Sequence, residues 1–348
     1  MSLNVLTKGK EIPLVRAKKS LRGAVIGYGG AFNMGKAHAS WMNAAGIQTV
    51  AVCDIDPKRL EAAKQDFSGI RTYSHVCDLL ADKEVDLCVV VLPHNLHAEI
   101  AIECAEAGKH VIVEKPMCIT VAEADAMIEA ARKNNVMLSV FHNRRHDGDF
   151  MAIREVIEKG LIGEVFHIET GGGGYGHPGK WWRADKAISG GAMYDWGAHF
   201  LDWILNLVPS KVAGVTGFIQ KRVWMDVTNE DHTQAIIHFE NGCVADLQIS
   251  SICSVPRPRW RILGTQGGIL DEGKEPFKLF VRHEGYPATI EVPYKKSDWQ
   301  TYYTRIVEHL TAGAELEVKP EEARRVIAIL EATSHSAHSG QVIKPAYP

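Results

Sequence analysis

His110-Val111-Ile112-Val113-Glu114-Lys115-Pro116 is a short apolar run that stops abruptly at a glutamate, a lysine and a proline. Its apolar residues are continuous rather than alternating, which suits a strand covered on both faces in a parallel sheet. Lys115 then falls at the carboxyl end of a strand, the edge where open α/β sheets collect their ligands. An amine held there can hydrogen-bond a hydroxyl or a carbonyl.

The same pattern recurs on either side. Ala24-Val25-Ile26, the run from Thr49 to Cys53, the run from Leu87 to Leu92 and the run from Val136 to Val140 are all continuously apolar. Between them, Pro57 to Phe67, Asn95 to Ala107 and Thr120 to Lys133 repeat apolar residues at helical spacing. Each has a start signal: Asp56 before Pro57, His94-Asn95, and Thr120 with Glu123 as a capping box. The alternation predicts a doubly wound parallel sheet, a Rossmann domain over 21–143.

Beyond about residue 145 the pattern changes. A helix from Phe150 to Lys159 ends at Gly160, and the glycines Gly171 to Gly174 lead into a loop bearing Tyr175, His177, Trp181 and Trp182. β-like segments follow at 212–219, 233–239, 243–249, 260–263, 277–281 and 288–292, with Asn241-Gly242 as a hairpin turn. Helices are expected from Trp299 to Thr311 and from Pro320 to Ser336. An α+β domain with a large, mostly antiparallel open sheet is therefore expected over 144–348, its last helices packing back on the first domain. Residues 1–20 read as a surface arm.

A chain of 348 residues exceeds one comfortable core. Its net charge of −3 gives no electrostatic case for nucleic acid. The 7 cysteines form no C-x-x-C pair, which argues against disulfides or a thiolate metal site and for a reducing cytoplasm. The longest purely apolar run, Leu87 to Leu92, is far too short for a bilayer.

The glycine-rich turn Gly27-Tyr28-Gly29-Gly30-Ala31-Phe32-Asn33-Met34-Gly35 follows a strand and opens a helix, where backbone must approach a pyrophosphate. Its third glycine comes three residues late, at Gly35. Asp54, 19 residues after Gly35, is placed to accept hydrogen bonds from an adenosine ribose. That carboxylate repels a 2′-phosphate, so NAD is favoured over NADP, although Arg59 can soften the choice; the alternative for Asp54 is a cap on the helix at Pro57. Farther on, Asp195 and His199 stand four apart and would share one helix face, where the carboxylate can bias the imidazole as a proton acceptor. Such a pair can equally seat a metal, but no third ligand has recognisable spacing, so no metal site is expected.

With these residues in place the chain resembles the Gfo/Idh/MocA family of sugar and inositol oxidoreductases. The resemblance runs from Val25 to about Gly340: the turn at Gly27, Asp54, Pro93-His94-Asn95-x-His97, Glu114-Lys115-Pro116, Asn143-Arg144-Arg145 and Asp195-x-Gly197-x-His199. It implies that Lys115 binds the reacting hydroxyl, that Asp195 holds the substrate and the histidine, and that His199 is the acid/base as hydride passes between a sugar carbon and the nicotinamide. The matching positions expected around the cofactor are Gly27, Gly29, Gly30, Ala31, Phe32, Asn33, Met34, Asp54, Ile55 and Arg59. On the other wall they are Leu92, Pro93, His94, Asn95, His97, Glu114, Lys115 and Asn143. Pro116 is often preceded by a cis bond in the family; the sequence leaves the isomer open. Leu92 departs from the family, in which many members have a hydroxyl residue, and the inserted Ala31 to Met34 either wrap the pyrophosphate or reach toward substrate.

Substrate contacts are expected from Lys115, Arg144, Tyr175, His177, Trp182, Arg183, Asp195 and His199, with Trp181 and Trp182 beside Arg183 forming a platform for sugar faces. The expected activity is NAD-dependent oxidation of a secondary hydroxyl of a sugar, cyclitol or sugar derivative. The alternatives are an NAD-recycling glycosidase or lyase acting through transient ring oxidation, and a catalytically silent NAD or sugar sensor. The resemblance also implies a homodimer or homotetramer, paired through a sheet face expected to bear Val215, Ile237 or Leu247.

Overall fold

In the computed structural model, which describes residues 20–30 and 32–346, the first part of the chain alternates as its apolar runs dictate. Its elements are β1 (Leu21–Ile26), α1 (Met34–Ala44), β2 (Ile47–Cys53), α2 (Pro57–Asp66), β3 (Arg71–Tyr73), α3 (Val76–Leu80), β4 (Leu87–Val90), α4 (His97–Glu106), β5 (His110–Val113), α5 (Val121–Asn134) and β6 (Leu138–Val140). They form a parallel sheet in the order β3-β2-β1-β4-β5-β6. Val25, Val52, Val89, Ile112 and Val113 are fully buried because helices cover both faces. Between β1 and β4 the strand order reverses, and a crevice opens at their carboxyl ends.

Helix starts follow their chemistry. Thr120 and Glu123 form the reciprocal capping box on α5. Asp56, not Asp54, caps α2, accepting from Lys58 N–H at 2.9 Å. The strand expected to reach Leu92 stops at Val90, and Val91 and Leu92 turn out along the crevice. The short edge strand β3 and helix α3 were not foreseen, since Arg71-Thr72-Tyr73 is half-exposed and carries no apolar run. Residues 1–19 of the expected arm lie outside the described residues.

The second part comprises α6 (Gly148–Glu158), β7 (Val165–Gly173), α7 (Lys186–Ser189), α8 (Trp196–Leu207), β8 (Val212–Gln220), β9 (His232–Phe239), β10 (Val244–Ser250), β11 (Trp260–Gly264), β12 (Gly267–Asp271), β13 (Phe277–His283), β14 (Tyr286–Val292), α9 (Gln300–Ala312) and α10 (Pro320–Ser339). Eight strands lie in the order β14-β13-β12-β11-β7-β10-β9-β8, antiparallel except for the β7–β10 pair. Strands β7 and β12 were missed: Gly171 to Gly173, expected only as a glycine-rich lead into a loop, end β7, held by β10 alongside.

Register assigns the faces of this sheet. Val215, Ile237, Ala245, Ile168 and Ile262 lie in one cross-strand row and are all fully buried. Helices α8 and α10 cover that side, so Val215, Ile237 and Leu247 face the interior of the chain rather than a partner. The opposite row, with Thr216, Ile236, Asp246, Glu169 and Arg261, is open. Helices α9 and α10 return to the first sheet: Tyr302 donates to Ser139 Oγ at 2.9 Å, Ser139 donates to Val318 C=O at 2.9 Å, and Arg324 meets Asp125 at 3.0 Å.

Candidate active site

The crevice between β1 and β4 continues into a cleft of 570 Å³ that runs toward α8. Gly27 turns the chain out of β1 with φ +93°, and a Cβ there would lie 2.0 Å from the Val91 carbonyl oxygen, so only glycine fits. Gly35 does the close-packing work of the late third glycine, since a Cβ on it would sit 2.6 Å from Gly27 C=O. The insertion between them is absorbed by left-handed backbone at Gly30 and Asn33. Asn33 puts no side-chain cap on α1, leaving the helix's first N–H groups for another acceptor. This tight cradle with uncapped donors fits a dinucleotide pyrophosphate.

Asp54 ends up beside the turn, accepting from Tyr28 N–H at 2.7 Å and Asp56 N–H at 2.9 Å while its side lines the cleft. Ile55 and Arg59 share that wall, with Arg59 lying over Gly29. Gly29, Gly30, Phe32 and Met34 also reach the cleft. Asn33 shapes the backbone but is not on the wall, and Ala31 lies outside the described residues.

On the other wall stand Leu92, Pro93, His94, Lys115 and Asn143. His94 donates from Nδ1 to Ser189 C=O at 2.8 Å, and burial, reinforced by His97, lowers its pKa to about 3. Asn95 and His97 do not reach the cleft, contrary to expectation. Asn95 is exposed elsewhere, and His97 is fully buried with its ring nitrogens 2.8 Å from Pro116 C=O and 2.9 Å from Leu92 C=O. Burial outweighs those carbonyls and lowers its pKa, so the neutral ring donates to one of them and ties the two wall loops together.

Lys115 follows β5 through a cis bond to Pro116. Its Nζ lies 2.6 Å from Asp195 Oδ1, and Arg183 Nη1 reaches the same oxygen at 2.7 Å. Burial alone would raise the Asp195 pKa, but Lys115 and Arg183 outweigh it and hold the carboxyl well below its ordinary range. Asp195 precedes α8 rather than sitting within it, with ψ −85°, so its carboxylate swings to Lys115 and makes no bond to His199. The expectation that Asp195 holds the histidine is corrected accordingly. His199 lines the cleft, and its Nδ1 is buried without a hydrogen-bond partner among the described residues. Packing orients it, with Trp196 5.6 Å and His142 6.4 Å away between ring centres. Burial, then the charges of Lys115 and Arg144, push its pKa well below 6.5.

Glu114 underlies this group. Its two oxygens meet His38 Nε2 and Lys115 N–H, both at 3.0 Å, and His38 Nδ1 meets Tyr303 Oη at 2.6 Å. Burial opposes ionisation of Glu114, yet His38 and Lys115 prevail and lower its pKa. Nothing in the sequence linked His38, Glu114 and Tyr303, which are far apart along the chain. Trp41, Phe141, Trp196 and Trp299 also line the cleft and were not singled out, being aromatic residues in helices, strand ends and loops without a motif.

Arg183 is clad by Phe32, Trp181 and Trp182, whose ring centres lie 5.1, 5.4 and 5.0 Å from its Cζ. The insertion in the glycine turn therefore reaches the substrate-side loop through Phe32. Arg144 stacks at 4.6 Å over Trp196 and 5.1 Å over Trp299. Tyr175 and His177 are not brought to Lys115; they border an adjoining hollow of 740 Å³, where His177 Nε2 meets Asp226 at 3.0 Å.

The comparisons agree with this architecture. Residues 21–142 match the oxidoreductase family with an NAD-binding Rossmann fold, and residues 150–270 match the GFO/IDH/MocA C-terminal domain. The chain belongs to the Gfo/Idh/MocA oxidoreductase family. It is 28% identical over 318 residues to a scyllo-inositol 2-dehydrogenase (NADP(+)) of Bacillus subtilis, covering 84% of this chain and 88% of that one. It is 27% identical over 324 residues to inositol 2-dehydrogenase 2 of Saccharopolyspora erythraea, with 90% and 93% covered. The solved structure of an NAD-binding protein from Listeria innocua superposes with a TM-score of 0.83 at 31% identity, covering 94% and 97%. The protein is thus an oxidoreductase that uses NAD. Among the described residues no helix is long and apolar enough to cross a membrane.

Proposed function

We propose that the protein oxidises a secondary hydroxyl of a sugar, cyclitol or sugar derivative, with Lys115 and His199 as its catalytic residues and Asp195 as their anchor for substrate. The observation that carries this reading is the 2.6 Å contact of Lys115 with Asp195 on the same cleft wall as His199. NAD, when bound, supplies the acceptor for hydride. Lys115 donates a hydrogen bond to the reacting oxygen and steadies its developing negative charge, while Asp195 and Arg183 fix where the amine points. His199, kept neutral by burial and its cationic neighbours, accepts the hydroxyl proton. The inositol dehydrogenases among the relatives support a polyol substrate. Seven unpaired cysteines support a reducing cytoplasm as the compartment.

The test is a screen of pyranoses, inositols, anhydro sugars and glycosides for NADH formation, with product analysis. Net NADH supports the proposal; glycoside cleavage without it marks cofactor recycling instead. Lys115→Met should lower turnover by roughly 10²–10⁴ while NADH still binds by fluorescence titration. Unchanged turnover in that variant rejects the assigned role.

A further inference from the structure

We infer that the hollow beside the cleft is a subsite for a second, uncharged sugar ring, so that the preferred substrate is a neutral glycoside rather than a free monocyclic polyol. The inference rests on the proposed function and specifies its substrate class. At 740 Å³ the hollow is larger than the reaction cleft of 570 Å³, which must also admit the dinucleotide. The two share Trp181, Arg183, Asp195 and Trp196, so a ligand at Lys115 can extend directly into it.

Its floor is bare backbone. A Cβ on Gly174 would meet nothing within 4 Å, and one on Gly172 would touch only ordinary neighbours, the nearest being the Phe200 ring at 3.5 Å. A flat ring can lie over such a floor. The rim carries three large aromatics that the chain leaves open to solvent, Tyr175 at 60%, Trp181 at 36% and Trp196 at 41% exposure. Aromatic faces pair with the C–H faces of a pyranose, and exposed ones in a concavity mark a binding surface.

The charges on the wall disfavour an anionic extension. Arg183 is paired with Asp195 at 2.7 Å, Arg257 with Asp246 at 2.8 Å and Arg259 with Asp149 at 2.5 Å. Glu230 is paired with Lys186 at 2.5 Å, and the remaining charged side chain on this wall, Glu272, is acidic. Each of these arginines already has a carboxylate partner, Arg183 sharing Asp195 with Lys115, so a phosphate or uronate would lose its hydration and have to compete with those carboxylates. A neutral ring loses nothing of that kind.

The experiment compares kcat/KM of the purified enzyme with NAD for glucose, myo-inositol, methyl glucoside, neutral glucose disaccharides of differing linkage, and UDP-glucose. At least one disaccharide should exceed every monocycle by about tenfold or more, a step that contacts to a second ring readily supply. Gly174→Phe should fill the hollow and erase that advantage, leaving the monocycles within about twofold. Tyr175→Ala, at an exposed position that burdens folding little, should reduce the same advantage. A monocycle or UDP-glucose as best substrate overturns the inference, as does an equal loss for both sugar classes in Gly174→Phe. If no sugar yields NADH, the proposed function fails, and calorimetric titration of the same sugars onto the NADH-bound protein decides the subsite by the same order of affinities.

Discussion

His199 shows how far a residue type can be read before its surroundings are known. Its identity and its distance from Asp195 suggested a carboxylate-biased imidazole, which would raise the pKa. The backbone at Asp195 turns the carboxylate to Lys115 and Arg183 instead, and the histidine is left among cations and aromatic rings. Its pKa therefore falls below 6.5, through burial first and then Lys115 and Arg144. The base form is needed for proton acceptance, so activity is retained as pH falls to 6.5 and is lost only below it, on the acid limb of kcat/KM. Arg144→Gln removes one repelling charge and should move that limb upward. A wild-type limb at or above pH 6.5 would contradict the assigned environment. Lys115 itself was legible because a strand end and a proline bracket it, whereas His38 and Tyr303 beneath it are joined only by the folded chain.

At the scale of elements, the apolar runs announced nearly every parallel strand, because burial on both faces leaves no polar positions. The β7 strand was hidden because its last three residues are glycines, which have no side chain to signal a sheet and are held there by β10. The late glycine of the cofactor turn was legible as a departure, but its resolution was not: only the fold shows that Gly35 packs on Gly27 and that Phe32 is carried across to Trp181, 5.9 Å away between rings. We propose that the end of β2 decides the choice of dinucleotide. Asp54 presents a carboxylate beside the turn, and Arg59 lies over Gly29 close by. Asp54→Asn keeps an acceptor for one of the two backbone N–H groups, Tyr28 or Asp56, while removing the charge that repels a 2′-phosphate. The ratio of NADP to NAD affinity should rise by about tenfold or more, read by titrating protein fluorescence with each dinucleotide. An unaltered ratio would show that Asp54 does not discriminate.

For the whole molecule, the two-part plan was visible in the change after about residue 145 from apolar runs alternating with helices to successive β-like segments joined by turns, but which face of the second sheet looks outward was not. Val215, Ile237 and Leu247 look alike as strand hydrophobics and would suit a partner as well as a core; α8 and α10 claim them for the core. What remains for a partner is the other row, which carries Phe218 at 48% and Phe280 at 41% exposure beside Thr216, Ile236 and Leu270. We propose that this face pairs with its copy in a homodimer or homotetramer. A stable interface needs about 800 Å² from each partner, which a flat eight-stranded face can supply, and burying a phenylalanine contributes roughly 1.5–3 kcal/mol. Light scattering on a sizing column should therefore give two or four times the chain mass of 38.4 kDa. Phe218→Asp with Phe280→Asp would place charges on the pairing face without disturbing the buried row behind it, so the assembly should fall to single chains that still bind NADH. A wild-type protein running as a single chain at micromolar concentration would remove the case for pairing through this face.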